Sequence, residues 1–226
     1  MAKRSTSTKA RKRNPETEYY TSEQYKPYVM AIGQIALAWN DLHEQIGDIF
    51  LKVTIEYMPE EDFFVAGWQS LSTDRAKRAF LRSGMGTLHP KHERWVKEVI
   101  WLLGQADRLE EDRNNAIHAP LIWFPAEAEE HGLKGGVQPH RISMNKRALN
   151  LSNKDLLTEF RWIRDAIIVI RDYAYDLYEA WEWGKEIRRS LPRRPSLPNR
   201  GHKSRRLVRP SDRPIQLPLL PEASQE

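Results

Sequence analysis

Residues 90–120 read PKHERWVKEVIWLLGQADRLEEDRNNAIHAP. Trp95, Val99, Leu102, Leu103, Ala106 and Leu109 recur at steps of three and four, the spacing that places them on one face of an α-helix. Pro90 stands at the head, where a fixed φ and a missing N–H suit a first turn. Pro120 disfavours helical geometry at Ala119, so the helix is expected to end at Ile117 or His118. A stripe of this kind needs other elements to cover it.

The flanking sequence supplies them. Thr21 or Ser22 is a candidate cap for an earlier helix, with Pro27 near its start. From there Tyr28, Ile32, Ile35, Trp39, Leu42, Ile46, Ile49 and Val53 form one stripe along about 30 residues, ended before Pro59. A brief helix is expected over Glu61–Gln69. A further piece capped by Thr73 carries Ala76, Ala79, Phe80 and Leu81 and breaks at Gly84 and Gly86. After Pro120 the helical period stops. Leu121–Phe124 and His140–Met144 flank an acidic stretch ending in Gly135-Gly136 and are expected to pair as a small β-hairpin. Ser152 or Asn153 then caps a last long helix lined by Leu156, Leu157, Phe160, Ile163, Ile167, Ile170, Ala174, Leu177 and Trp181. The fold class is therefore all-α, an up-and-down helical bundle with a small hairpin insertion.

Both ends differ from this body. Residues 1–13 carry six Lys/Arg and no acid, and residues 188–226 carry ten Lys/Arg against three acids, which leaves 20 basic and 28 acidic residues in 14–187, a net of −8. The overall charge of +5 therefore lives in the tails, and the body is acidic. The expected organisation is a disordered basic arm over 1–18, a helical domain over 19–188 with 119–152 as an insertion, and a disordered Pro/Arg-rich tail over 189–226. There is no cysteine, which excludes disulfides, thiolate metal sites and cysteine nucleophiles. No apolar run reaches about 18 residues and no secretory signal is visible, so a cytoplasmic protein without membrane contact is expected.

The chemistry-bearing groups gather where the 90–120 helix ends. Asn114 and His118 are four apart and share a face, and the long side chain of Arg113 reaches the same surface. The free carbonyls of a helix C-terminus would favour a protonated His118. A guanidinium grips a phosphate and holds developing negative charge, and an imidazole moves protons near neutral pH. In RNA the adjacent 2′-hydroxyl is itself a nucleophile, so neither a metal nor a protein nucleophile is needed, and no cofactor is expected.

Arg-Asn-x-x-x-His near the end of a long helix in a small bundle resembles the signature of the HEPN superfamily, with Arg113, Asn114 and His118 matching its three residues. The resemblance extends over roughly residues 20–187. It implies a metal-independent endoribonuclease, a symmetric homodimer that sets two motifs across one cleft, and a role in toxin–antitoxin, phage-defence or RNA-processing systems, with an antitoxin or other regulator as partner. Chemistry also favours a dimer, because 2′-hydroxyl attack wants a base and an acid and one motif offers one histidine. The insertion and the tails are not covered by the resemblance.

Other groups are secondary. Asn40, Asp41, His43 and Glu44 lie beside the first stripe, either lining the cleft or forming a solvated edge, with Glu44 the candidate supporting carboxylate. His89 and His92 form an H-x-x-H pair without a third ligand at a supportive spacing, so no metal is expected. The tryptophans of the last helix, Trp162, Trp181 and Trp183, read as core and interface. The tails offer Arg11, Lys12, Arg13, Arg193, Arg194, Arg205, Arg206 and Arg209 for contact with nucleic acid, drawing RNA to an acidic body by counterion release. Gln216, Leu217, Leu219 and Leu220 resemble the short peptide by which bacterial proteins dock onto the replicative sliding clamp. Two other readings stay open: a non-catalytic nucleic-acid or nucleotide-binding module, and an interaction protein that works through its tails.

Overall fold

A computed structural model describes residues 23–57, 61–87, 92–124, 135–140, 145–181 and 190–200. The elements in chain order are α1 (Lys26–Tyr57), α2 (Glu61–Ser70), α3 (Asp74–Met85), α4 (Glu93–His118), β1 (Leu121–Phe124), β2 (Gly136–Pro139), α5 (Lys146–Leu151) and α6 (Leu156–Ala180). The architecture is a helical bundle with one two-stranded antiparallel hairpin.

Three long helices make the core. The α1 residues Ile35, Trp39, Leu42, Ile46 and Ile49 and the α6 residues Phe160, Ile163, Ile167, Ile170 and Leu177 are buried together, and α4 closes the layer with Trp95, Val99, Leu102, Leu103, Ala106 and Leu109. Each such side chain contributes roughly 1.5–3 kcal/mol on burial, which explains why a strict three-four stripe suffices to hold a helix in place. Trp95 and Trp181 meet at 4.2 Å between ring centroids, and Trp95 Nε1 donates to the Leu177 carbonyl at 2.9 Å.

Capping chemistry sets several boundaries. Thr73 Oγ1 accepts from the Ala76 N–H at 3.1 Å and starts α3 as expected. Helix α4 ends at His118, with Ala119 extended ahead of Pro120. The start of α6 departs from expectation: its cap is Asp155, which accepts from Thr158 N at 2.8 Å, and neither Ser152 nor Asn153 fills that position. Ser152 follows α5, a short helix not anticipated from the sequence. Asn145 caps α5, and Ala148 and Leu151 anchor its buried side. The candidate caps Thr21 and Ser22 lie outside the described residues.

The hairpin is also corrected. β1 pairs with Gly136–Pro139, in the register Leu121↔Pro139 to Phe124↔Gly136, in place of the expected segment that begins at His140. Gly136 has φ +96°, a conformation that glycine adopts without strain, and the strand it opens buries Val137 and Pro139 on alternate positions. His140 N donates to the Pro120 carbonyl at 2.8 Å just past the strand end, and 141–144 lie outside the described residues.

Residues 190–200, inside the stretch expected to be a structureless tail, run along the bundle. Leu191 and Leu197 pack on the core. Arg194 Nε donates to Glu98 at 2.7 Å and its guanidinium lies 5.3 Å from the Trp101 ring centroid. Arg200 Nη2 donates to Asp112 at 2.6 Å and to Glu159 at 2.7 Å, stacks 4.0 Å over Trp162, and Trp162 Nε1 donates to the Pro198 carbonyl. Leu191, Arg194, Leu197 and Arg200, spaced three apart, thus supply side-chain contacts to the bundle. Composition alone argued against a packed core, and correctly, but an Arg/Leu face of period three needs only an acidic, aromatic track to lie on.

Candidate functional site

The end of α4 carries the Arg-Asn-x-x-x-His residues, and α1, α3 and α5 surround it. Arg113 Nη1 donates to Asn114 Oδ1 at 2.8 Å, and its guanidinium lies 5.6 Å from the centroid of the buried Trp39 ring. Arg113 Nε is buried without a hydrogen-bond partner, and no carboxylate pairs with this side chain among the described residues. His118 is exposed.

A second guanidinium, Arg78 of α3, also lies 5.6 Å from the Trp39 centroid, yet its surroundings are opposite in kind. Arg78 is wholly buried, and all three of its nitrogens are engaged: Nε with Asp107 at 2.8 Å, Nη2 with Glu110 at 2.9 Å, and Nη1 with His43 Nε2 at 2.7 Å. The ring of His43 is oriented by its own backbone. Its Nδ1 lies 3.0 Å from the Trp39 carbonyl, which only accepts, so Nδ1 carries the proton and Nε2 receives the Arg78 N–H. Burial, the largest influence, lowers the His43 pKa; Asp74 and Glu110 oppose it and Arg78 adds to it. Trp39 Nε1 donates to Asp74 at 2.8 Å, and Arg75 and Arg82 close the network onto Glu110 and Asp107. The result is a charge-balanced polar frame around Trp39, next to which Arg113 has no carboxylate partner among the described residues.

The charge state of His118 departs from the helix-end expectation. Its pKa is lowered, first by desolvation and then by the neighbouring cations Arg147 and Arg113. Desolvation and the two guanidiniums all act against the charged form, so the neutral imidazole is favoured near pH 7.

Between α4 and α5 lies a groove of about 510 Å³. Asn114 and Asn115 line one side and Asn145, Lys146, Arg147 and Asn150 the other, with Asn150 Nδ2 donating to Asn115 Oδ1 at 3.4 Å. Asn114 belongs to both the motif and the groove, whereas Arg113 and His118 do not line it.

The remaining sequence candidates fall elsewhere. Glu44 is exposed, as are Asn40 and Asp41, and the α1 side chain drawn into the frame is His43. His92 is buried with its ring 4.7 Å from that of Trp181, and His89 lies outside the described residues. No cluster of three or more His, Asp or Glu suited to a metal ion occurs among the described residues. Arg194 is committed to Glu98, while Arg193 is exposed. Arg11, Lys12, Arg13, Arg205, Arg206, Arg209, Gln216, Leu217, Leu219 and Leu220 lie outside the described residues, as does Trp183. No helix of the described residues is long and apolar enough to cross a membrane.

Sequence reasoning missed Trp39, Arg78, Asn115, Arg147 and Asn150 as parts of this site. Arg78 and Arg147 sit in ordinary-looking polar stretches, and nothing in one-dimensional spacing reveals which arginine is buried. Comparison with protein-family models, with curated proteins and with solved structures finds no match to this chain.

Proposed function

We propose that the protein is a metal-independent endoribonuclease of HEPN type, with Arg113 and His118 acting on the phosphodiester and Asn114 orienting Arg113. The observation that carries this reading is the contrast at Trp39. Of two guanidiniums over one ring, Arg78 is paired on every nitrogen, and Arg113 is anchored by an amide alone. Leaving a cation unneutralised beside an exposed, neutral histidine has an electrostatic cost, and an anionic substrate removes it.

In the mechanism, His118 in its neutral form takes the proton of the 2′-hydroxyl, whose oxygen attacks the adjacent phosphorus. Arg113 holds the negative charge that grows on the phosphoryl oxygens. The 5′-oxygen leaves and requires a proton, which a second His118 across a twofold homodimer would donate. The products are a 2′,3′-cyclic phosphate and a 5′-hydroxyl end. The basic tails, Arg11–Arg13 and Arg205, Arg206 and Arg209 among them, draw RNA to an acidic body. A toxin or phage-defence role in the cytoplasm under a protein regulator, and sliding-clamp docking through Gln216, Leu217, Leu219 and Leu220, are further parts of the proposal.

Purified protein incubated with RNA in EDTA tests it. Cleavage that persists without metal, yields 2′,3′-cyclic phosphate ends and disappears in His118→Ala is the expected result. Wild-type protein that binds RNA and leaves it intact supports the second reading, a non-catalytic nucleic-acid-binding module, which the same uncompensated Arg113 would serve.

A further inference from the structure

We propose that the groove between α4 and α5 binds an unpaired nucleotide of an RNA strand, with Lys146 and Arg147 taking a phosphate and the amides of Asn114, Asn115 and Asn150 taking the base edge. The inference rests on the nuclease reading only for the identity of the neighbouring phosphate at Arg113.

Four observations carry it. The groove's volume of about 510 Å³ falls within the range of small-ligand sites, roughly 300–1,000 Å³. Its lining is unusual in kind, with four asparagines, three cations and one carboxylate, Glu111, and no apolar side chain, so the cations outnumber the acid. Such a surface suits a polar, anionic ligand and not a lipid or an apolar peptide face. An amide offers a donor and an acceptor side by side, the pattern presented by the edge of a nucleobase.

The amides are also pre-positioned. Asn145 Oδ1 accepts from the backbone N–H groups of Arg147 and Ala148, which seats α5. The Asn150–Asn115 bond then ties α5 to the motif helix, and it leaves Asn150 Oδ1 and the Asn115 amino group to pair with something else. Asn115 is buried and Asn150 exposed, so the pair forms a floor and a wall.

Two of the three cations are uncommitted. Arg75, at the rim, is held by Glu110, whereas Lys146 and Arg147 pair with no carboxylate among the described residues. Asn114 lines the groove and accepts from Arg113 Nη1 at 2.8 Å, which sets one groove wall beside the motif guanidinium.

An unpaired strand is the form of RNA that fits, because base edges in a duplex are occupied or recessed in a narrow groove. In this arrangement the insertion, left without a role by the resemblance, becomes the element that binds the nucleotide flanking the cleaved bond.

The test uses the full chain and a fluorescent 2′-O-methyl RNA octamer of mixed sequence, which lacks the nucleophile and cannot be cleaved by 2′-hydroxyl attack. Binding is followed by anisotropy in EDTA across a salt series. Lys146→Gln/Arg147→Gln is expected to weaken binding at least about tenfold and to reduce the log–log salt slope by about 0.7, the value for one phosphate on a single strand. Asn150→Ala is expected to weaken binding about fivefold, the size of one lost hydrogen bond, with the salt slope unchanged. All three positions are exposed, so circular dichroism should show both variants folded. Arg147→Lys should keep the salt slope.

Wild-type affinity in both variants overturns the proposal, as does equal weakening on a duplex, or capture of an acidic peptide in preference to the octamer. If the wild type fails to cleave ordinary RNA but the variants lose octamer binding as expected, the nuclease reading fails and the subsite stands. If RNA is cleaved and the variants bind as the wild type does, the subsite fails alone.

Discussion

Replacing Arg200 with alanine removes the innermost anchor of the 190–200 strand, and the structure sets the size of the effect. Three hydrogen bonds disappear, one to Asp112 at 2.6 Å and two to Glu159 at 2.7 and 3.4 Å, together with the stacking over Trp162. Glu159 is wholly buried. Burial alone would raise its pKa, but the hydrogen bonds and charges of Arg200 and Lys154 overcome that and hold it below the usual carboxylate range. Breaking a buried ion pair costs about 3–5 kcal/mol when the remaining charge is stranded. Here Lys154 stays in place, and the Arg200 side chain is 39% exposed, so solvent screens part of the interaction. About 2 kcal/mol is the expected loss, which for a chain of this size lowers Tm by about 4–8 °C. Scanning calorimetry on the full chain measures it. In a Glu159→Gln background the same substitution should cost about 1 kcal/mol less, since no buried charge is left behind. The linkage has a definite sign: a carboxylate with a depressed folded pKa stabilises above its unfolded value and loses that contribution as pH falls. Arg200→Ala should therefore flatten the loss of stability below about pH 4.5. A Tm shift under about 1 °C, or equal shifts in both backgrounds, would refute the reasoning.

Other perturbations probe the frame and the motif. Arg78→Leu, at a position with no exposed surface, should destabilise by about 2–3 kcal/mol in urea unfolding because it removes the buried guanidinium shared by Asp107 and Glu110, which Arg82 and Arg75 then hold alone, and a loss under about 1 kcal/mol would mean that the buried network contributes little. His43 has a lowered folded pKa, so its contribution is fully present above about pH 6.5 and is lost as pH falls from there. His43→Gln should flatten the Tm-versus-pH curve between pH 7 and 5.5, and an unchanged slope would show that His43 does not titrate there. For RNA cleavage, the ascending limb of kcat/KM against pH should reflect a base below the usual histidine value, and Arg147→Gln should move it to higher pH by removing a cation near His118. An unmoved limb would separate Arg147 from the reacting histidine.

Much of the bundle was legible because burial of apolar stripes is a local, periodic signal. Trp95 through Leu109 and Phe160 through Leu177 placed two of the long helices, and Pro59 and Pro120 marked ends that backbone sterics enforce. The hairpin partner was misplaced by several residues, since Gly136–Pro139 offers only one apolar inward residue, Val137, beside a proline, while His140–Met144 shows the cleaner alternation. Helix α5 escaped notice because six residues are too few for periodicity, and its cap, Asn145, sits among other polar residues.

The candidate site divides in the same way. The spacing of Arg113, Asn114 and His118 already dictates that they share one end of one helix, for three-dimensional placement within a helix follows from residue number. Which arginine is neutralised and which remains charged depends on contacts 29 to 35 residues away along the chain, among Arg78, Asp107, Glu110 and His43. The protonation of His118 follows the same rule, because desolvation and then Arg147 of the insertion and Arg113 lower its pKa. Local backbone and side-chain periodicity were thus set by sequence alone. Charge balance was decided only by the tertiary structure, because electrostatic interactions act through space and depend on which groups packing removes from water.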